Sequence, residues 1–208
     1  MRLNAVLLAV FTVVLVWSAI GPHDRFTWWL EVLPALIGLV IVFATRKRFP
    51  LTPLLYVLLA IHAVILMVGG HYTYALVPFG FWMEEAFGFT RNHYDRIGHF
   101  AQGFVPAIVA REILIRRNVV RSAGWLFTIV TCICLAISAA YELLEWAAAA
   151  FTGTKAEAFL GTQGDVWDTQ KDMLLALIGA MVAQVILARW HDRQMRAQGS
   201  GPRAQGSS

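Results

Sequence analysis

The stretch LTPLLYVLLAIHAVILMVG, residues 51–69, contains no Asp, Glu, Lys or Arg and is long enough to cross a bilayer as a helix. A soluble domain would space its apolar residues at helical or alternating intervals, so an unbroken run indicates membrane insertion. The composition agrees, since 58% of the 208 residues are hydrophobic and 14% are charged. Soluble domains average about 45–50% apolar and about 25% charged residues. Six mostly apolar runs of about this length lie at 3–20, 28–44, 51–69, 97–115, 122–141 and 172–190.

These runs predict an all-α polytopic membrane protein, a bundle of about six transmembrane helices. The first run is expected to remain in the protein, because Trp17 to Gly21 lacks the small-x-small pattern of a signal-peptide cleavage site. No linker interrupts residues 1–190, which are predicted to form a single six-helix domain. Residues 191–208, where Arg-Ala-Gln-Gly-Ser occurs twice, are predicted to be a disordered tail or an added remnant.

Charge is divided between the two membrane faces. If the N-terminus is inside, 12 of the 17 basic residues fall in inside segments, so the positive-inside rule places both termini in the cytoplasm. The same topology places 11 of the 13 acidic residues outside. The two acidic residues that it places inside are Glu112 and Asp192. Basic residues beside helix ends explain the net charge of +4, and nucleic acid binding is not indicated.

Two further segments have plain interpretations. The long connection at 70–96 is rich in aromatic residues and is predicted to be an interfacial or re-entrant piece, whose aromatic segment 72–89 serves as a lid. Cys132 and Cys134 lie two apart on one predicted helix, where their side chains point in different directions and cannot pair. They are interpreted as core thiols.

Polar side chains form stripes on three predicted helices at the outer face. Within each stripe the spacing of i, i+3 or i+4, and i+7 keeps the side chains in a sector of about 60°. Because isolated carboxylates are costly in an apolar span, positive charge is expected among them. The three stripes are Asp95, His99 and Gln102; Ser138, Glu142 and Glu145; and Asp165, Asp168 and Asp172.

Two kinds of positive charge are available. Arg91, Arg96 and Lys171 could pair with the carboxylates without any metal. Alternatively, a divalent metal could bind; carboxylate with histidine suits Zn²⁺, Mn²⁺ or Fe²⁺, whereas carboxylate with water suits Mg²⁺ or Ca²⁺. The cofactor therefore stays open. The candidate metal ligands are His71, His99, Glu142, Asp168 and Asp172, and the candidate catalytic residues are Asp95, His99, Glu142, Glu145, Asp165, Asp168 and Asp172.

The order Asp95-Arg96-x-x-His99, Glu142-x-x-Glu145 and Gly161-Thr162-Gln163-Gly164-Asp165-x-x-Asp168 resembles the YjdF-like bacterial inner-membrane family over about residues 5–190. That resemblance implies a six-helix inner-membrane protein and no particular activity. A looser similarity joins the chain to VanZ-like proteins, which are associated with glycopeptide resistance. This sequence departs from their pattern, with Arg96 for Lys, Glu145 for Gln and Asp172 for Asn.

Three functions are compatible with these residues. The first is an enzyme at the outer face, acting on a lipid-linked or envelope substrate through metal-activated water or a carboxylate and histidine acid/base pair. The second is an ion-coupled transporter, although the polar residues are expected to stop near one face and leave the inner halves of the spans apolar. The third is a non-catalytic binding or structural membrane protein.

Overall fold

A computed structural model describes residues 2–152 and 162–199. Within these ranges the chain is helical and contains no strand. Seven α-helices are present in the described residues, and a short 3₁₀ turn at Tyr74–Leu76 separates the third from the fourth. They are α1 (Arg2–Ala19), α2 (Arg25–Thr45), α3 (Pro53–Tyr72), α4 (Pro78–Phe87), α5 (Tyr94–Arg116), α6 (Ala123–Thr152) and α7 (Asp168–Ala197).

The six long helices correspond to the six predicted apolar runs, which confirms an all-helical polytopic membrane protein. Five of them, α1, α2, α3, α6 and α7, are long and apolar enough to cross a membrane. The sixth, α5, is 23 residues long but carries charged residues at both ends. The number of crossings and the orientation stay predictions.

The last two helices are longer than predicted. α6 continues to Thr152 instead of ending near 141, and α7 runs from Asp168 to Ala197 instead of 172–190. A disordered tail beginning at 191 is therefore wrong for residues 191–197, because His191 and Met195 are fully buried and hold this end of α7 in the bundle. Residues 200–208 lie outside the described part of the chain.

The two largest hydrophobic cores of the described residues share α3. One contains α1, α2 and α3 around Val32 and Met67. The other contains α3, α5, α6 and α7 around Ile108 and Val130. As a result, α3 is the helix through which the first two helices are joined to the rest of the bundle.

α5 and α7 form the most extensive contact between two helices in the described part of the chain, and small residues allow their backbones to come close. A Cβ atom at Gly103 would collide with the backbone of Ala176, and one at Gly179 would collide with the carbonyl oxygen of Phe100. Close backbone approach of this kind is a common way of joining helices in a membrane. It fixes the register between the polar ends of α5 and those of α7.

The 70–96 connection is mostly helical. Thr73 adopts a left-handed conformation (φ 56°) that ends α3, and Gly88 (φ 68°) ends α4. The aromatic side chains of α4 and the turn after it are exposed, as expected for a segment at the membrane interface. They are Phe79, Phe81, Trp82, Phe87 and Phe89.

Candidate functional site

The first turns of α5 place an imidazole between polar groups. Nε2 of His99 lies 3.3 Å from Oδ1 of Asp95, one helical turn earlier. Nδ1 of His99 lies 3.1 Å from Oε1 of Gln102. Asp95 and His99 are both buried, so the predicted α5 stripe faces the interior of the bundle.

Two arginines join α5 to the acidic start of α7. Nη2 of Arg96 lies 2.5 Å from Oδ1 of Asp168 and 3.1 Å from Oδ2 of Asp165, while its Nη1 donates to Asp172. Nη1 of Arg91 lies 2.6 Å from the same oxygen of Asp168. The predicted ion pairs between these arginines and the α7 stripe are therefore present.

Asp165 lies just before α7, at the rim of the cluster. Nζ of Lys171 donates a 2.6 Å hydrogen bond to Oδ2 of Asp165. That bond, together with a hydrogen bond from the Trp167 amide, lowers the pKa of the Asp165 carboxyl below its usual value. Lys171 is about half exposed, so this part of the cluster is open to solvent.

The stripe on α6 faces the same cluster. Ser138, Glu142 and Glu145 are buried, and Oε1 of Glu142 lies 3.7 Å from Nδ1 of His99. Among the described residues, neither Oγ of Ser138 nor Oε1 of Glu142 has a hydrogen-bond partner. Unpaired buried polar atoms are rare, and here two of them belong to one stripe. All three predicted stripes therefore converge at one end of the bundle, here called the acidic end.

A fourth helix contributes a residue that the sequence did not single out. Glu31 of α2 is buried, and Oε2 of this carboxyl accepts a 3.2 Å hydrogen bond from the hydroxyl of Tyr141 on α6. On that face of α2 only Thr27 and the capping Asp24 are also polar, so the helix offers no stripe of carboxylates and histidines like those of α5, α6 and α7. The sequence does not show that Glu31 is buried, because its burial results from the packing of α2, α3 and α6 against one another.

His71 does not join the cluster, and its role as a metal ligand stays a prediction. Its Nδ1 lies 3.1 Å from the carbonyl oxygen of Ser18, and its ring lies 4.5 Å from that of Trp17. α1 therefore provides the polar partner of this imidazole.

One compact set of potential metal ligands occurs among the described residues. Asp95, His99 and Asp172 are all buried and each directs one ligating atom to within 4.8 Å of the other two. The predicted ligand Asp168 is outside this set, and its carboxylate contacts both arginines, while Asp172 of the set also accepts a hydrogen bond from Arg96. Glu142 is beside the set, through its contact with His99. Two carboxylates with one imidazole form a donor set that suits Zn²⁺, Mn²⁺ or Fe²⁺.

The connection before α7 is fastened to the connection before α5. Oε1 of Gln163 accepts a 3.0 Å hydrogen bond from the Asn92 amide, and Nε2 of Gln163 donates to the Asn92 carbonyl oxygen at 2.9 Å. The Asn92 side chain donates in turn to the carbonyl oxygen of Val77, at 2.9 Å. Gln163 belongs to the family-like Gly-Thr-Gln-Gly-Asp sequence, and here it positions the segment that holds Asp165.

A second buried polar cluster lies at the opposite end, here called the basic end. Oε2 of Glu112 lies 2.9 Å from Nε2 of His191, and its Oε1 lies 2.7 Å from Nη1 of Arg116. The Thr52 hydroxyl donates to Glu112 at 2.8 Å, and Arg111 lies 3.0 Å from Nδ1 of His191. The expectation that the inner halves of the spans are apolar is therefore wrong at this end of α5 and α7.

The fold and the acidic end together define a polytopic helical membrane protein with a buried carboxylate and histidine cluster near one face. The chain belongs to the family described as "Predicted membrane protein (DUF2238)", whose profile matches residues 3–193. It is 54% identical over 188 residues to the inner membrane protein YjdF of Escherichia coli strain K12, and the match covers 90% of each chain. No solved structure matches the chain significantly.

These comparisons confirm the predicted YjdF-like resemblance and the predicted inner-membrane location. The looser similarity to VanZ-like proteins is not shown by them and stays a prediction. The shared description names a location and no reaction, so the function has to be argued from the acidic end itself.

Proposed function

We propose that the acidic end is the outward-facing catalytic site of a metal-dependent enzyme that acts on a lipid-linked or envelope substrate. One observation supports this most: Asp95, His99 and Asp172 are buried and bring three ligating atoms within 4.8 Å of one another. Such a group in an apolar bundle is costly unless a cation or a proton compensates it. A divalent metal supplies that charge and also activates water.

Glu142 would accept the proton of the activated water. Its Oε1 has no hydrogen-bond partner among the described residues and lies 3.7 Å from His99, itself a proposed ligand. A base beside the metal-bound water is the usual arrangement for hydrolysis. Glu145, one turn further along α6, is buried with it and would keep the pocket acidic.

The surroundings favour a negatively charged substrate on a lipid carrier. Arg91 lies 3.9 Å from Asp95 and Arg96 contacts Asp172, so both arginines border the proposed metal site, and their guanidinium groups suit phosphate as well as carboxylate. The exposed aromatic side chains of α4 suit the headgroup layer, where a lipid-linked substrate would present its polar part.

Manganese binding tests the metal site directly. The purified full-length protein is titrated with Mn²⁺ and the free ion is followed by electron paramagnetic resonance. One tightly bound ion per chain is expected, and His99→Ala and Asp172→Asn should weaken its binding at least tenfold. Glu85→Gln, which removes an exposed acid of α4, is the matched control and should bind normally.

Turnover tests the enzyme. The metal-loaded protein is incubated with a polyprenyl diphosphate in detergent micelles, and released phosphate is measured. Glu142→Gln should bind Mn²⁺ normally and lose most of the release. Mn²⁺ binding that is the same in His99→Ala as in the wild type would overturn the proposal, as would release that is unchanged in Glu142→Gln.

An ion-coupled transporter is the second candidate, and one observation favours it. The α5 and α7 pair carries buried carboxylate and histidine groups at both ends, His99 with Asp95 and His191 with Glu112. The close contacts of Gly103 and Gly179 separate these ends, so transport would require the two helices to part. Proton flux in proteoliposomes that is abolished by Glu112→Gln would favour this candidate over the enzyme.

A further inference from the structure

A cleft of about 410 Å³ lies between α1, α2 and α3, away from both polar clusters. Its walls are apolar and include Phe11, Pro34, Gly38 and Leu66. A cavity of this volume falls in the range of small-ligand sites, about 300–1,000 Å³. It extends along α2 from Pro34 to Arg46, about 18 Å at 1.5 Å per residue, and so reaches from mid-helix to the basic end.

Four polar side chains interrupt this mostly apolar lining, Asn4, Arg46, Tyr56 and His62, and two of them bear on what the cleft binds. Arg46 stands at the basic end of the cleft, and its guanidinium carbon lies 4.1 Å from the centre of the Phe43 ring, one turn back along α2. His62 of α3 lines the cleft deeper in the bundle, and its buried Nε2 has no hydrogen-bond partner among the described residues. An unpaired polar atom at this depth costs free energy unless a ligand supplies its partner.

The direction of the two side chains brings them closer along the cleft. Arg46 folds back towards the middle of the membrane, as its contact with Phe43 requires. Side chains of a helix lean towards its N-terminus, so the imidazole of His62 leans towards Pro53 and the basic end. The guanidinium of Arg46 therefore lies nearer the membrane surface, and the imidazole of His62 lies deeper in the cleft.

We propose that this cleft binds one anionic glycerophospholipid from the leaflet at the basic end. Its phosphate pairs with Arg46, one ester carbonyl accepts a hydrogen bond from the imidazole of His62, and one acyl chain lies between Phe11, Gly38 and Leu66. The order of groups in such a lipid, anion first, carbonyl next and hydrocarbon last, matches the order of groups along the cleft. The site is separate from the proposed enzyme and does not depend on it.

Gly38 allows the cleft to be filled without disturbing the bundle. A Cβ atom at this position would meet no other atom within 4 Å, so Gly38→Leu extends a side chain into open space. Gly124→Leu is the matched control, because Gly124 is also in a helix and also has free space beside it. Arg48→Gln is the control for Arg46→Gln, since it removes a neighbouring, exposed charge that does not line the cleft.

Native mass spectrometry of the full chain in detergent tests the proposal. Phosphatidylglycerol and phosphatidylcholine with the same acyl chains are added in turn, and the bound fraction is measured. The wild type should bind phosphatidylglycerol about tenfold more tightly, as one charge-assisted contact predicts. Arg46→Gln should remove that preference, His62→Leu should weaken binding of both lipids, and Gly38→Leu should abolish it, while both controls bind normally.

Three results would overturn it. Equal binding of both lipids by the wild type would show that Arg46 does not select an anion. Unchanged lipid binding by His62→Leu would show that no ester carbonyl of the lipid binds to His62. Normal phosphatidylglycerol binding by Gly38→Leu with an unchanged melting temperature would place the lipid outside the cleft.

Discussion

The guanidinium of Arg96 on α5 lies 2.5 Å from the carboxylate of Asp168 on α7, and it also contacts Asp165 and Asp172. One cation thus joins two carboxylates of α7 and a third carboxylate just before that helix. Its side chain is only 12% exposed, so water screens these contacts weakly. Removing the cation would leave buried negative charges unpaired, which is far more costly than removing an exposed ion pair.

Arg96→Ala is therefore expected to lower the free energy of unfolding by about 3–5 kcal/mol. Unfolding can be followed with a thiol-reactive dye in a Cys132→Ser background, where the buried Cys134 reacts once the bundle opens. Arg121→Ala removes an exposed arginine and should leave the melting temperature unchanged. The double variant Arg96→Ala, Asp172→Asn should melt higher than Arg96→Ala alone. A melting temperature equal to the wild type in Arg96→Ala would contradict this account.

Local spacing explains what the sequence predicted correctly. Asp95 and His99 stand one turn apart on α5, as do Glu142 and Ser138 on α6, so periodicity alone showed that each pair shares a helix face. Apolar runs likewise located every long helix. Both kinds of information lie within about 20 consecutive residues, which is the range of one helix.

Contacts between distant residues were not predictable in the same way. Glu112 and His191 are 79 positions apart, and their 2.9 Å contact exists because Gly103 and Gly179 set the register of α5 against α7. The predicted end of α7 was wrong for a related reason. His191 makes its segment less apolar, yet tertiary packing buries this residue. The sequence showed these residues but not their partners.

Close packing between α5 and α7 can be tested at Gly103. Gly103→Val should destabilise the protein by about 1–3 kcal/mol or prevent its folding, because the added atoms meet the backbone of Ala176, which cannot rotate away. Gly124→Val, at an open helix position, should cost far less. The same Cys134 dye assay measures both variants. Equal melting temperatures for the two would show that the helices are not packed at Gly103.

The predicted orientation can be tested by labelling single cysteines. In a background without Cys132 and Cys134, Phe89→Cys reports on the acidic end and Val119→Cys on the basic end; both positions are exposed. A membrane-impermeant maleimide added to intact cells should label the first variant, and the second only after the membrane is permeabilised. The reverse pattern would place the acidic end in the cytoplasm and overturn the positive-inside prediction.

The start of α2 predicts a dependence on pH. The amide of Thr27 donates a 2.7 Å hydrogen bond to Asp24, and this bond lowers the pKa of the Asp24 carboxyl below its ordinary value of 3.8. A lowered pKa means that the cap stabilises fully above pH 3.8 and that its contribution is lost as the pH falls through the lower, folded-state value.

Asp24→Ala should therefore cost about 1 kcal/mol at neutral pH and progressively less in acid. Melting temperatures of the wild type and the variant, measured from neutral pH down to the most acidic pH at which both fold, provide the comparison. Asp24→Ser keeps a capping oxygen without a titratable group, so its melting temperature relative to Asp24→Ala should not change with pH. A difference between wild type and Asp24→Ala that grows in acid would contradict the cap.

Metal removal is the remaining prediction, and it separates the two sources of positive charge at the acidic end. If a divalent ion joins Asp95, His99 and Asp172, a chelator should leave their charges in mutual repulsion and lower the melting temperature. Adding Mn²⁺ or Zn²⁺ at about 100 times its dissociation constant should then restore about 2.7 kcal/mol. His99→Ala should lose this recovery, whereas Glu85→Gln should keep it. A melting curve that is insensitive to chelator, together with unchanged stability in His99→Ala, would assign the compensation to Arg91 and Arg96 alone, because their contacts with Asp168 need no metal.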